Sequence, residues 1–345
     1  MLLSLLLSGC GCSKKPATEP TEATQSSAEA TTPDATKQED YRNPLTGEKL
    51  TEAWSGTLVG VMVNNIKQSM PQHGLSQADI IYEIEEESSI TRNLVIYSDV
   101  SKAGTIGSIR STRTYFVSVA ASYDAYLIHC GASTHASPGG YDANGNKLTN
   151  WKHLNQAAGA GDKYFFRDKD RYNAGYAWEH TLFTSGASLA EFVADKEESK
   201  VTPVFGFKEG IDLGGETANE ITIKFKGTKT TTFTYDATTG RYARSQHGGA
   251  SVDGGTQQAE TVKNVLALYT NQWLCPQGHG HQFYDTIGSG EGYAATNGKI
   301  VPIKWSRASV DAPYSYTLAD GSPLELDVGN SYIAVVGTKF PIEYK

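Results

Sequence analysis

The chain has 345 residues, of which 39% are hydrophobic and 10% aromatic, and a formal net charge of -8. That is enough apolar material for one large or two ordinary domains, while the acidic balance speaks against general binding to nucleic acid or anionic lipid, which needs Lys/Arg-rich surfaces. No nucleic-acid partner is expected, and any anion site must be local.

The first element is the apolar run 2–7 of MLLSLLLSGCGC, too short to span a bilayer and suited to the core of a signal peptide. No Lys or Arg precedes it, so the start is read as lying inside a longer signal peptide. Leu7-Ser8-Gly9-Cys10 looks like a bacterial lipobox. Residues 1–12 are therefore expected to be a lipoprotein signal peptide, with Cys10 lipidated and the cell membrane, on its extracytoplasmic face, as a partner through that lipid. Residues 13–45 are almost all Thr, Ala, Glu, Pro, Ser and Gln, a composition that buries too little surface to offset ordering entropy, and are expected to form a disordered tether.

From there TLVGVMVN (57–64) reads as a short buried strand, IIYEIEEES (80–88) as a half-buried strand alternating apolar and acidic residues, and NLVIYSDV (93–100) as another strand. STRTYFVSVAASY (111–123) has helical spacing, and AYLIHCG (125–131) is a strand ending in glycine. The polar passage from Ser137 to Gly161 is a candidate functional loop. In SGASLAEFVADKEES (185–199) either Ser185 or Ser188 is placed to cap a helix, with Glu191 completing a capping box from Ser188. Beyond Pro203 short β-rich runs with turn signals read as antiparallel sheet, GSGEGYAATNG among them as a hairpin. The expected fold class is α+β (mixed α/β), with an N-terminal module at 46–200, a mixed sheet with helices, and a mainly antiparallel C-terminal β module at 201–345. No fixed repeat suggests a solenoid or propeller.

The runs VGVMVNN, PQHGLSQADIIYEIEEESSITR, GSIRSTRTYF, YDAYLIH, WEHTLFTS, YDATTGRYAR, NGKIVPIKW and DGSPLELDVGNSYIAVV resemble the YerB-like lipoprotein family, in order from Thr57 to Gly337. The resemblance implies a lipid-anchored, mixed α/β protein with two modules on the outer face of the membrane, mostly in Gram-positive-type bacteria. It supplies no reaction. Ser108 stands where a proline is common in the family, and Cys130 where a small residue is usual, which speaks against a general catalytic role for Cys130.

Polar residues gather in the N-terminal module. The candidate ligand-binding set is Asn64, Asn65, Glu83, Glu87, Arg92, Arg110, Arg113, Tyr115, His129 and His180, with Gln72, Asp79 and Trp178 nearby in type. Period-2 geometry puts Glu83, Glu85 and Glu87 on one strand face. These carboxylates suit acid/base work or cation binding; alternatively, Glu83 or Glu87 pairs with Arg92, Arg110 or Arg113 and holds the module together. GSIRSTR is either a helix face with solvated arginines at i,i+3 or a corner where arginines clamp an anion beside a helix start. His129 closes a strand and His180 opens HTLF, so a shared cleft is one option and separate structural roles another.

Other chemistry has less support. Cys130 and Cys275, the cysteines outside the leader, fit one bridge or two separate thiols. His129 and Cys130 face opposite sides of a strand and cannot pair directly. HExxH and GxSxG are missing, and His279 and His281 in CPQGHGHQF are a weak metal cue. No metal or cofactor is expected. The favoured reading is a non-enzymatic envelope protein whose polar cleft, around Arg110, Arg113, Glu83 and His129, binds an anionic or carbohydrate-like cell-wall ligand or a protein partner, with Tyr115 or Trp178 stacking on it. The alternatives are a cell-wall hydrolase with Glu83 or Glu87 and His129 or His180 as acid and base, and a scaffold for envelope or sporulation machinery.

Overall fold

A computed structural model describes residues 40–345 apart from 137–139, 143, 146, 149, 150, 160 and 277–279. The leader with Cys10, the tether before Asp40, parts of the 137–161 passage and His279 lie outside the described residues. Asp40–Lys345 forms one compact unit.

Its backbone is an 11-stranded sheet. Val59–Asn64 and Thr91–Tyr97 are buried along their whole length, as near-continuous β-branched runs covered on both faces should be. They pair antiparallel, and Thr91–Tyr97 pairs antiparallel with Ile80–Glu85 on its other side. Val59–Asn64 continues in parallel to Tyr126–His129 and then His153–Asn155. Across the centre, Ser331–Gly337 lies parallel to both Ile80–Glu85 and Asn264–Thr270, so segments before and after residue 200 share this sheet. Gly288–Thr296 and Lys299–Arg307 extend it as an antiparallel hairpin, turned by Asn297-Gly298 with φ of +49° and +73°, the residue pair such a turn demands.

Helices are few. Among the described residues the α-helices are Thr114–Ser122, Lys169–Asn173 and Gly186–Val193, so the mixed fold is mostly β. Thr114–Ser122 lies on one face of the sheet, where Phe116 packs with Tyr82, Ile84 and Tyr316. Burial of a side chain such as Phe116 is worth on the order of 2–3 kcal/mol. The other face is covered by a second, six-stranded sheet that includes Glu220–Lys224, Thr230–Asp236 and Arg241–Gln246, with Phe233 and Tyr332 packed against Val61 and Ile81 between the sheets.

Three sequence expectations need correction. Ile80–Glu85 is not half-buried: every residue is buried, because the second sheet covers its acidic face. The helix expected from 111 starts at Thr114, with Arg113 extended at φ -132° and ψ 164°. Arg110 N is bonded to Met62 O, Cys130 N to Arg110 O, and Thr112 N to Gly131 O; these groups are committed to neighbouring strands, so Arg110 and Arg113 do not share a helix face. The last helix is capped by Ser185, whose Oγ accepts from Ser188 N at 3.1 Å. No capping box forms from Ser188, and Glu191 instead reaches Lys163 Nζ at 2.7 Å.

Cys130 and Cys275 are not bridged to each other. Cys130 donates to Gln156 Oε1 at 3.2 Å, while Cys275 sits 3.9 Å from His135 Nδ1. Among the described residues no helix is long and apolar enough to cross a membrane, and no group of three or more His, Cys, Asp or Glu could hold a metal.

Candidate functional site

Strand direction assembles the site. Val59–Asn64, Ile80–Glu85, Tyr126–His129 and His153–Asn155 all run the same way, so Asn64, Glu85, His129 and Asn155 finish at one sheet edge, and Arg92 enters there opposite Asn64. The segment 109–113 lies across this edge through its bonds to Met62 and Gly131. Gly107 makes the approach feasible: at φ +154°, a Cβ there would stand 2.6 Å from the Phe183 ring. Carboxyl ends of parallel strands are where open α/β sheets bind ligands.

Five charged side chains meet there. Glu86 is fully buried, with Arg92 Nε 2.8 Å and Arg113 Nε 3.8 Å from its carboxylate. Arg113 also forks onto Glu87, Nε donating to Oε2 at 3.1 Å and Nη2 to Oε1. Arg92 Nη1 donates to Ser111 O. Among the described residues neither Glu86 oxygen has a well-angled hydrogen bond. Burial therefore outweighs the pull of Arg92 and Arg113 and pushes the carboxyl up to about 7. Burial also acts on Glu87, but the Arg113 fork outweighs it and lowers that carboxyl.

Arg110 is left over. It is half-buried, makes no ion pair among the described residues, and its buried Nε has no hydrogen-bond partner. Three guanidinium groups thus face two carboxylates, one of which is half protonated near neutral pH. The exposed Glu179 lies within electrostatic reach of Arg110 but outside ion-pair distance, where solvent screens it.

The imidazoles of this edge are pinned separately. His129 Nδ1 donates to Gly131 O at 2.8 Å, and its Nε2 faces His153 Nδ1 at 3.0 Å; burial takes its pKa down to about 4. Asn64 Nδ2 donates to His180 Nδ1 at 3.1 Å, which leaves the proton of neutral His180 on Nε2, and burial lowers its pKa. Among the described residues neither ring is hydrogen-bonded to a carboxylate.

Glu83 is elsewhere. It lies between the two sheets, 2.8 Å from Arg244 Nη2 and 3.3 Å from Lys229 Nζ, and accepts from Tyr332 Oη at 2.6 Å, Thr91 Oγ1 at 2.7 Å and Asn65 Nδ2 at 2.9 Å. Arg244 Nη1 completes the set on Glu260 at 3.0 Å. Burial opposes ionisation of Glu83, but Lys229, Arg244 and the donors outweigh it and hold the carboxyl at about 2. Glu83 and Asn65 thus belong to this charge-balanced network between the sheets rather than to the Arg110 edge. Tyr115 is also withdrawn: 1% exposed, it donates to Glu85 O at 2.9 Å and packs edge-on against Tyr284, so no ligand can stack on it. Trp178 is exposed. Two surface depressions, of about 580 Å3 beside Tyr269 and Tyr293 and about 420 Å3 beside Trp54 and Lys102, lie away from the arginines.

Sequence reasoning missed Glu86, Lys229, Arg244, Glu260 and His153. Glu86 had a signal in the EEE run 85–87, where a strand end brings the middle acid inward; the partners of Glu83 had none, since Arg244 is 161 residues away.

Two family models match the chain: Protein of unknown function (DUF3048) N-terminal domain over residues 45–200, and Protein of unknown function (DUF3048) C-terminal domain over residues 221–333. A relative from Bacillus subtilis (strain 168), named "Putative lipoprotein YerB", is 26% identical over 314 residues, 88% of each chain. The crystal structure of YerB protein from Bacillus subtilis matches with a TM-score of 0.72 at 24% identity, covering 88% of this chain and 99% of that one. It shares the fold.

Proposed function

The chain belongs to the DUF3048 family of YerB-like lipoproteins, and on that premise we propose that it is a lipid-anchored protein of the extracytoplasmic face that binds an anionic envelope ligand at the Arg110 edge. Cys10 would carry the lipid. The observation behind this reading is Arg110, a half-buried guanidinium with no carboxylate partner among the described residues, beside two arginines that have theirs. Partly burying a cation without a counter-charge is costly, and an incoming phosphate or carboxylate would remove that cost by accepting a forked pair of hydrogen bonds. Helix Thr114–Ser122 begins beside it with no side-chain cap on its first amides, a further source of positive potential. Against a chain charge of -8, the surplus is local.

Orthophosphate tests the reading. A ligand held only by the native state raises the unfolding midpoint, by about 2.7 kcal/mol of added stability at 100 times its Kd. Orthophosphate is expected to raise the midpoint of the parent and not that of Arg110→Ala. An equal rise in both would refute the site.

A further inference from the structure

We infer that Trp178, Tyr172 and Arg167 form a saccharide-stacking subsite beside Arg110, so that the ligand is a glycan bearing phosphate or carboxylate groups. The inference rests on the anion-site reading and names its substrate class. Of the five tryptophans, Trp178 alone is exposed, at 56%, as is Tyr172. Their rings stand 5.7 Å apart, edge to face.

The turn beneath this surface is pinned by hydrogen bonds. The Arg167 guanidinium lies 4.4 Å from the indole centroid, and its Nη1 donates to Trp178 O at 2.7 Å. Thr181 Oγ1 donates to the same carbonyl at 2.8 Å, and the next turn is tied to the sheet through His180 and Asn64. An exposed aromatic already fixed in place loses little side-chain entropy when a ligand arrives. The apolar C–H face of a pyranose suits the negative face of an indole, while Tyr and Arg tips serve its hydroxyls.

Position joins this surface to the arginine edge. Arg167 pairs with Leu182, whose carbonyl accepts from Ile109 N, the residue before Arg110. Glu179, the residue after Trp178, lies within electrostatic reach of Arg110, so a pyranose on Trp178 would sit on the same surface as that guanidinium. A lipid surface fits less well. Segment 161–178 has Asp162, Asp168 and Asp170 against Lys163, Arg167 and Lys169, the buried Arg171 being occupied by Ser69 O and Pro71 O, so it has no basic excess to draw anionic lipid.

Calorimetric titration of the full chain decides, with three probes: orthophosphate, neutral N-acetylglucosamine tetrasaccharide, and the same tetrasaccharide carrying a phosphate. The parent is expected to bind the phosphorylated sugar most tightly. Trp178→Ala and, separately, Tyr172→Ala, both at exposed positions, should weaken both sugars, the tryptophan change by about tenfold, and leave orthophosphate unaffected. Arg110→Ala should weaken the phosphorylated sugar and orthophosphate but not the neutral one. Undiminished sugar binding by Trp178→Ala would overturn the subsite while leaving the anion reading intact. Failure of the parent to bind orthophosphate would overturn the anion reading, and failure to bind either sugar would overturn the subsite. Trp178-dependent binding to phosphatidylglycerol vesicles without sugar binding would replace the glycan by a membrane.

Discussion

Two clusters of charge, both built around acids of the stretch 83–87, end differently. Between the sheets, Glu83 and Glu260 face Arg244 and Lys229: charges balance, and Glu83 also receives Tyr332, Thr91 and Asn65. At the strand ends, Glu86 and Glu87 face Arg92, Arg113 and Arg110, and among the described residues the Arg110 guanidinium has no carboxylate in ion-pair distance. The first cluster joins strands from both ends of the chain and has no hydrogen-bonding capacity to offer a ligand at Glu83. The second is incomplete on its own. A charge-balanced network marks structure, and a residual charge at a sheet edge marks a place for something else.

The comparison can be broken first at its strong end. Glu83→Gln leaves Arg244 and Lys229 buried against Glu260 alone, and removal of one member of a buried ionic set typically costs about 3–5 kcal/mol. Denaturant unfolding should show that loss; a change under about 1 kcal/mol would mean the network is dispensable. Its pH dependence follows from the sign of the shift. The Glu83 carboxyl is held at about 2, below its ordinary 4.5, so its contribution is present above pH 4.5 and is lost as pH falls toward 2.

Glu86 has the opposite sign. Its carboxyl is raised to about 7 from 4.5, so the stability linked to its neutral form is present below pH 4.5 and is lost as pH rises through 7. Relative to the parent, Glu86→Gln should therefore gain on the order of 2 kcal/mol between pH 5 and pH 8, read from unfolding curves at both values. Sulfate, which does not titrate in this range, should bind the parent more weakly as pH rises through 7 and bind Glu86→Gln with a flatter profile. A parallel pH dependence in both proteins would remove Glu86 from the edge.

Ser185→Ala sets the scale of an ordinary local hydrogen bond. Loss of the cap to Ser188 N should cost about 1 kcal/mol, less than the Glu83 change and more than any loss at Arg110.

The strands were legible because their apolar runs are covered on both faces, and so was the hairpin at Asn297-Gly298. The start of the first helix was not: helical spacing continues back through Thr112 and Arg113, but Gly131 and Met62 take the backbone groups that a helix would need. Most of the candidate polar residues do gather at one edge. Glu83, Asn65 and Tyr115 do not, because which side of a strand or helix is covered depends on the second sheet and on Tyr284, both encoded more than 100 positions later. Alternation placed Glu87 on the face of Glu83, but the strand ends at Glu85 and the turn redirects it to Arg113.

The central claim, that Arg110 is surplus to the fold, is tested most directly by equilibrium unfolding of Arg110→Ala beside the parent, with no ligand present. The account predicts stability within about 0.5 kcal/mol of the parent, or above it, since an unpaired cation beside two others is removed. A loss of about 2 kcal/mol or more would contradict it, by showing that Arg110 supports the fold as Glu83 does.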